Sequence, residues 1–301
     1  MNDFTGEIKR LKALVEARLC SALPEIDSCS KTLADSMYYS LGAQGKRIRP
    51  VLLLLSCKAM SGDENEALPY ACAIEYIHNY SLIHDDLPAM DDDDLRRGKA
   101  TNHIVYGEAI AILAGDGLLT SAFEVMNFDL MLHFDDPSEM RKRILAMHEI
   151  AKGAGCRGMI GGQLADIEAE TKSISPELLD YIHLNKTAAL IRASVRAGAM
   201  IGGADNKLRD ALSVYGENLG LAFQVADDIL DVTGTDERLG KHTGQDNAAE
   251  KPTYPSIHGV EASVRRLNEL TETAVQAISG FDDRMIDFFI ELARVLAKRD
   301  S

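Results

Sequence analysis

Tryptophan is absent from the 301 residues, aromatic side chains make up only 6%, and cysteine occurs five times. Cys20, Cys29, Cys57, Cys72 and Cys156 are odd in number and no two form a C-x-x-C pair. That disfavours a structural zinc site and fits free thiols in a reducing cytoplasm. No run of ~18 apolar residues occurs, so no membrane span is expected; the longest purely aliphatic piece is Val51 to Leu55. The start, Met1-Asn-Asp-Phe-Thr-Gly-Glu7, lacks the apolar core of a signal peptide. Two-residue alternation and Asn-Gly hairpins are also missing, which argues against sheet structure. Positive charge is in short supply: 32 Lys and Arg stand against 47 Asp and Glu, a net charge of −15. Nucleic acid and anionic membranes are therefore poor candidates for main partners.

Helical periodicity is what the chain has in abundance. Ile8, Leu11, Leu14, Val15 and Leu19 recur at helical spacing over 7–19, and 31–41 repeats the pattern up to Gly42. Pro50 opens an apolar helix, a favoured place for proline. Further helices are expected over 67–87, 107–126, 139–151, 159–170, 176–201, 206–232, 260–279 and 282–299, with 233–255 as a polar loop. Apolar residues make up 46%, enough for a sizeable core. The expectation is an all-α chain folded as one domain, 1–301.

The chemistry concentrates at Ser81-Leu-Ile-His-Asp-Asp-Leu-Pro-Ala-Met-Asp-Asp-Asp-Asp-Leu-Arg-Arg-Gly98, with six carboxylates within ten residues followed by two arginines. Like charges this close repel unless cations sit among them. Oxygen donors without cysteine suit a hard cation such as Mg²⁺, which keeps coordination positions for substrate phosphates, and arginine forks fit phosphate oxygens. A solvated acidic loop is the plain alternative, but the apolar lead-in Tyr76-Ile77 and Ser81-Leu82-Ile83 places the first aspartates at the end of a buried helix. Pro88 should end or kink that helix, letting two residues loop out and returning Asp91 beside Asp85. A second cluster, Phe223-Gln-Val-Ala-Asp-Asp-Ile-Leu-Asp231, sets Asp227 and Asp231 four apart on one helix face.

Three other patterns fail. Gly153-Ala-Gly-Cys-Arg-Gly158 matches a dinucleotide-loop pattern, but helix rather than strand precedes it; Gly45-Lys46 lacks the first glycine and the hydroxyl of a P-loop; and Asp91 to Asn102 has Leu95, Arg96 and Asn102 where an EF-hand needs a ligand, glycine and glutamate.

Two acidic clusters in order, together with Gly45-Lys-Arg-Ile-Arg-Pro50, Tyr76 to Asp86, Asp91 to Gly98, Gly161-Gly-Gln163, Lys186-Thr187, Phe223 to Asp231 and Gly240-Lys241…Lys251-Pro-Thr-Tyr-Pro255, resemble the trans-isoprenyl diphosphate synthases, in particular those of bacterial farnesyl (geranyltranstransferase) type. Gln44 departs from the usual second glycine there. The resemblance implies a single-domain helical bundle of the isoprenoid-synthase type around a deep central cavity, a cytoplasmic homodimer, and head-to-tail prenyl transfer with about three Mg²⁺ per site. An allylic diphosphate ionises, isopentenyl diphosphate attacks, and a proton is lost.

Carried onto this chain, the resemblance gives Asp85, Asp86 and Asp91 on one metal-holding wall and Asp227, Asp228 and Asp231 on the other. Arg96, Lys186 and Lys241 would grip the allylic diphosphate, while Thr187 and Gln224 face the forming cation. Lys46, Arg49, His78 and Arg97 would hold isopentenyl diphosphate without metal. Arg47 rather than Arg49 is an alternative pocket member, since alternate residues of an extended loop face opposite ways. A histidine on an apolar helix is more often a core group, but seven residues separate His78 from Asp85, which places both on one face. Tyr80 lies five residues before Asp85, about 7 Å deeper along the axis, with Ser81 beside it. It reads as a floor that limits product length to C15, or alternatively as a core tyrosine bonded through its hydroxyl. A geranylgeranyl synthase and a non-catalytic partner subunit are the other readings. Product analysis separates the first, and Mg²⁺-dependent turnover of the isolated chain the second. A terpene cyclase would carry a different second metal motif in place of Asp227-Asp-Ile-Leu-Asp231.

Overall fold

The computed structural model describes residues 4–60, 62–170, 174–233, 253–281 and 284–297. The chain is a helical bundle: α1 Phe4–Leu19, α2 Lys31–Leu41, α3 Ile48–Ala59, α4 Glu64–Asp85, α5 Asn102–Tyr106, α6 Glu108–Leu132, α7 Pro137–Ala154, α8 Met159–Ala169, α9 Pro176–Ile182, α10 Ala189–Ile201 and α11 Asn206–Thr233, then helices Tyr254–His258, Val260–Ile278 and Arg284–Ala297. The all-α architecture expected from the periodicity is thus present.

α4 is the axis of the bundle. Asp63 caps its start by accepting from the Asn65 amide, and Glu64 and Glu66 suit the positive end of the helix dipole. Tyr70, Ile74, Tyr76 and Ile77 are fully buried, so the helix is apolar nearly all round, as a central helix must be. α6 and α3 pack along it, α10 lies on α3, α11 lies on α10, and helix Val260–Ile278 covers α11. One buried cluster runs from Leu11 to Leu296. The element before the dinucleotide-like glycines is the helix α7, not a strand.

Three features depart from the sequence reading. Leu95–Arg96 and Lys99–Ala100 form a short antiparallel ribbon, turned by Arg97 and Gly98 at φ 55° and 74°. The stretch read as one helix over 176–201 is broken by a π turn, His183–Ala188. Finally, α6 is long and apolar enough to cross a bilayer by length and composition, with mean hydropathy 1.5. It packs against α4 and α2, and it buries Asp129 on the guanidinium of Arg143, which suits a bundle helix.

Candidate active site

α4 stops where Pro88 forbids its continuation: Asp85 is its last residue and Asp86 its cap. The chain then folds back. Met90 N–H donates to Leu87 O, and Asp91 N–H donates to Asp85 O, both at 2.8 Å. The return of Asp91 beside Asp85 therefore exists as a backbone hydrogen bond. Asp92 completes the turn with φ 52°.

Asp85 and Asp227, on α4 and α11, line one cavity of about 1130 Å³. Burial pushes the Asp85 carboxyl up to about 6; Lys186 opposes this and Asp91 adds to it. The neighbours of these two aspartates turn elsewhere. Asp86 is buried and bound by Arg96 at 2.5 Å, and Asp93 holds the same guanidinium at 3.3 Å. Asp228 is buried behind Asp227, accepting from Gln224 and from the Tyr254 amide. Burial pushes Asp228 up to about 6, against those two hydrogen bonds. Asp231 is also buried, and neither of its oxygens has a hydrogen-bond partner among the described residues.

The basic corner lines the same cavity. Lys46, Arg49, His78 and Arg97 all border it. Arg47 does too, but its guanidinium is committed to Glu75 at 2.6 Å and to the carbonyls of Leu41 and Ala43. Those anchors hold Arg47 at φ 50°, a left-handed conformation that costs a non-glycine residue about 1–2 kcal/mol. Arg49 is the arginine paired with the histidine, Nη1 to Nε2 at 3.4 Å. Burial, reinforced by Arg49 and Arg97, holds His78 well below its usual range and so neutral. Gly45 lets the Arg97 guanidinium lie close against the loop: a Cβ there would stand 2.7 Å from Arg97 Nη1 and push that side chain aside.

The third side comes from the π turn. A π segment inserts one residue into a helix and re-aims those beside it. Lys186 points at Asp166 of α8, 2.5 Å away, and Thr187 donates to Gln224 Oε1 at 2.8 Å. α8 approaches closely through Gly162, where a Cβ would stand 2.1 Å from the Lys186 amide nitrogen. Below Asp85, Tyr80 borders the cavity, 6% exposed, its hydroxyl without a hydrogen-bond partner among the described residues. A core tyrosine bonded through its hydroxyl is not what is found. Ser81 borders the cavity and donates to His78 O.

The structure brings together Lys46, Arg49, His78, Tyr80, Ser81, Asp85, Arg96, Arg97, Lys186, Thr187, Gln224 and Asp227 around the cavity. Lys241 lies outside the described residues. Sequence reasoning missed Glu75, Asp93, Asp166 and His183. Only Asp166 had a local signal, three residues after Gln163 and so on a shared face.

No three His, Cys, Asp or Glu side chains among the described residues converge as a preformed metal cage. The donor set nonetheless fits Mg²⁺, which takes one or two carboxylates and completes its shell with water and substrate phosphates. Burial raises the pKa of Asp85, and the oxygens of buried Asp231 have no hydrogen-bond partner among the described residues; at both a cation would relieve a cost.

The chain is similar to known proteins over nearly its whole length. The chain is 42% identical over 299 residues to a farnesyl diphosphate synthase of Bacillus subtilis, covering 99% of both chains. It is 44% identical over 291 residues to a geranylgeranyl diphosphate synthase of Cyanophora paradoxa, covering 96% of this chain and 94% of that one. The crystal structure of an FPP/GFPP synthase from Zymomonas mobilis matches with TM-score 0.86 and 32% identity over 98% and 99% of the two chains. The polyprenyl synthetase family matches residues 30–283, and the chain belongs to that family.

Proposed function

We propose that this prenyltransferase is a farnesyl diphosphate synthase, condensing isopentenyl diphosphate with dimethylallyl and then geranyl diphosphate. The observation that carries the reading is a shared cavity with Asp85 and Asp227 on facing elements and Arg49, Arg97 and neutral His78 in a separate corner. Acidic walls suit a diphosphate that arrives with cations; a basic corner suits one that arrives without them.

Bound Mg²⁺, held by Asp85 and Asp91 on one wall and Asp227 on the other with Asp231 in support, would neutralise charge on the departing diphosphate. The chain's own groups do the rest. Lys186 and Arg96, each now paired with a carboxylate, exchange those partners for the allylic diphosphate. Lys241 joins them. Thr187 and Gln224 turn neutral dipoles toward the allylic carbon, so positive charge is stabilised without a nucleophile to trap it. Lys46, Arg49 and Arg97 fix isopentenyl diphosphate with its double bond toward that carbon, and neutral His78 donates without adding charge.

Tyr80 sets product length, supported by its position on the cavity wall below Asp85. Tyr80→Ala should shift the product from C15 to C20 or longer; an unchanged C15 product removes Tyr80 from the role. The whole chain, 1–301, acts as one domain, and the free state of all five cysteines supports a cytoplasmic setting. A homodimer through α6 is supported by Leu113, Phe128, Met131 and Leu132, all exposed on that helix. Light scattering should give twice the chain mass. The likeness to a geranylgeranyl synthase keeps C20 as the second reading. Incubation with isopentenyl and dimethylallyl diphosphates plus Mg²⁺, then chromatography of the dephosphorylated products, decides: farnesol supports the proposal, geranylgeraniol supports the second reading, and no product removes both.

A further inference from the structure

The second acidic wall contains a carboxylate that faces away from the cavity and toward a set of donors. Asp228 is 4% exposed and is not part of the cavity wall. Its Oδ1 accepts from Gln224 Nε2 at 3.0 Å and its Oδ2 from the Tyr254 amide at 2.8 Å. His183 Nε2 stands 3.4 Å from the same Oδ2, with its ring stacked on that of Tyr254. The chain continues from Gln224 Oε1, which accepts from the Thr187 hydroxyl at 2.8 Å.

The order of donors and acceptors along this chain is forced. A backbone amide only donates, and an ionised carboxylate only accepts, so both Asp228 oxygens are acceptors. Gln224 must then turn its NH₂ to Asp228 and its oxygen to Thr187. Thr187 in turn spends its only proton on Gln224, so the lone pairs of its oxygen are what remain for the cavity it lines. The negative ends of both dipoles are thereby left where the allylic cation is proposed to form.

We propose that Asp228 is a positioning residue rather than a metal ligand: held by the Tyr254 amide and His183, it sets the amide orientation of Gln224 and, through it, the hydroxyl orientation of Thr187. This rests on the proposed placement of Thr187 and Gln224 beside the cation and deepens it.

The test is steady-state kinetics of the Mg²⁺-loaded full chain with isopentenyl and geranyl diphosphates, for Asp228→Asn, Gln224→Glu and the double variant, each first checked by thermal melting. In Asp228→Asn the new side-chain amide has one oxygen, which the Tyr254 amide takes. Its NH₂ then faces position 224, Gln224 reverses, and Thr187 turns its proton to the cavity. The expected result is a fall in kcat of about 100-fold, with both KM values and the Mg²⁺ requirement changed less than about threefold. Gln224→Glu alone opposes two carboxylates and should be at least as damaging. The double variant restores an acceptor both to the NH₂ at position 228 and to the Thr187 hydroxyl, and should regain at least about tenfold over Asp228→Asn. A raised Mg²⁺ requirement with kcat unmoved in Asp228→Asn, or a double variant no better than the poorer single one, would overturn the inference while leaving prenyl transfer intact. Absence of turnover in the unaltered chain would overturn both.

Discussion

The two acidic walls present similar aspartates but are built by opposite means. The first abandons its helix: Pro88 ends α4, and a backbone hydrogen bond from Asp91 to Asp85 closes the loop that follows. The second keeps its helix, and pitch alone puts Asp231 one turn beyond Asp227. Support differs as well. Behind the first wall Asp86 is tied to an arginine; behind the second Asp228 is tied to neutral donors. An arginine tie can be exchanged for a diphosphate, because both partners of the guanidinium are anions of like geometry. An amide tie cannot be exchanged in that way, and so the second wall is the more firmly fixed of the two.

The comparison breaks first at the two cavity-lining aspartates. Asp85→Ala and Asp227→Ala should each lower kcat by about 10³-fold with the fold retained, read by turnover and circular dichroism. A loss confined to one of them would mean that a single wall holds the leaving group. Next is the π turn, which brings Thr187 onto Gln224 of the second wall. Gly162→Ala drives a Cβ into the Lys186 backbone and must shift the π turn. A displacement of that size should cost about 100-fold in kcat/KM for the allylic substrate while sparing the KM of isopentenyl diphosphate. Equal effects on both substrates would remove the π turn from allylic binding alone. The smallest effect is on pH. Burial leaves Asp85 at about 6, so below that value it carries a proton, and cation binding must displace the proton first. The Mg²⁺ concentration for half-maximal activity should rise about fivefold between pH 6 and pH 5, and Asp85→Asn should abolish that slope. A flat requirement would place the Mg²⁺-linked proton on another group.

Helical periodicity made most of the bundle legible, because its long helices bury residues whose spacing is written locally; the five-residue helices α5 and Tyr254–His258 are too short to show a period and were not anticipated. Both acidic clusters, the return of Asp91 and the mouth of the basic corner were legible for the same reason, since they depend on residues within one turn or one loop. What was not legible is long-range pairing. The ambiguity between Arg47 and Arg49 is resolved by Glu75, on a different helix. Asp166 belongs to Lys186, and His183 to Asp228, only because α8, the π turn and α11 meet. The π turn itself carries no sequence signal distinct from the helices on either side. The ribbon at Leu95–Ala100 is too short for any alternation to show, although Arg97-Gly98 is a turn pair in hindsight.

The central claim is that one diphosphate is held through cations on acidic walls and the other without cations, by Lys46, Arg49, Arg97 and neutral His78. Calorimetric titration of the unaltered chain with isopentenyl diphosphate, and separately with a non-ionising thiolo analogue of geranyl diphosphate, each in EDTA and in Mg²⁺, tests it directly. Isopentenyl diphosphate should bind with a Kd that changes less than about threefold between the two conditions, and the allylic analogue should bind at least about 100-fold tighter with Mg²⁺. Equal metal dependence for the two ligands, or none for either, would contradict the division of the cavity.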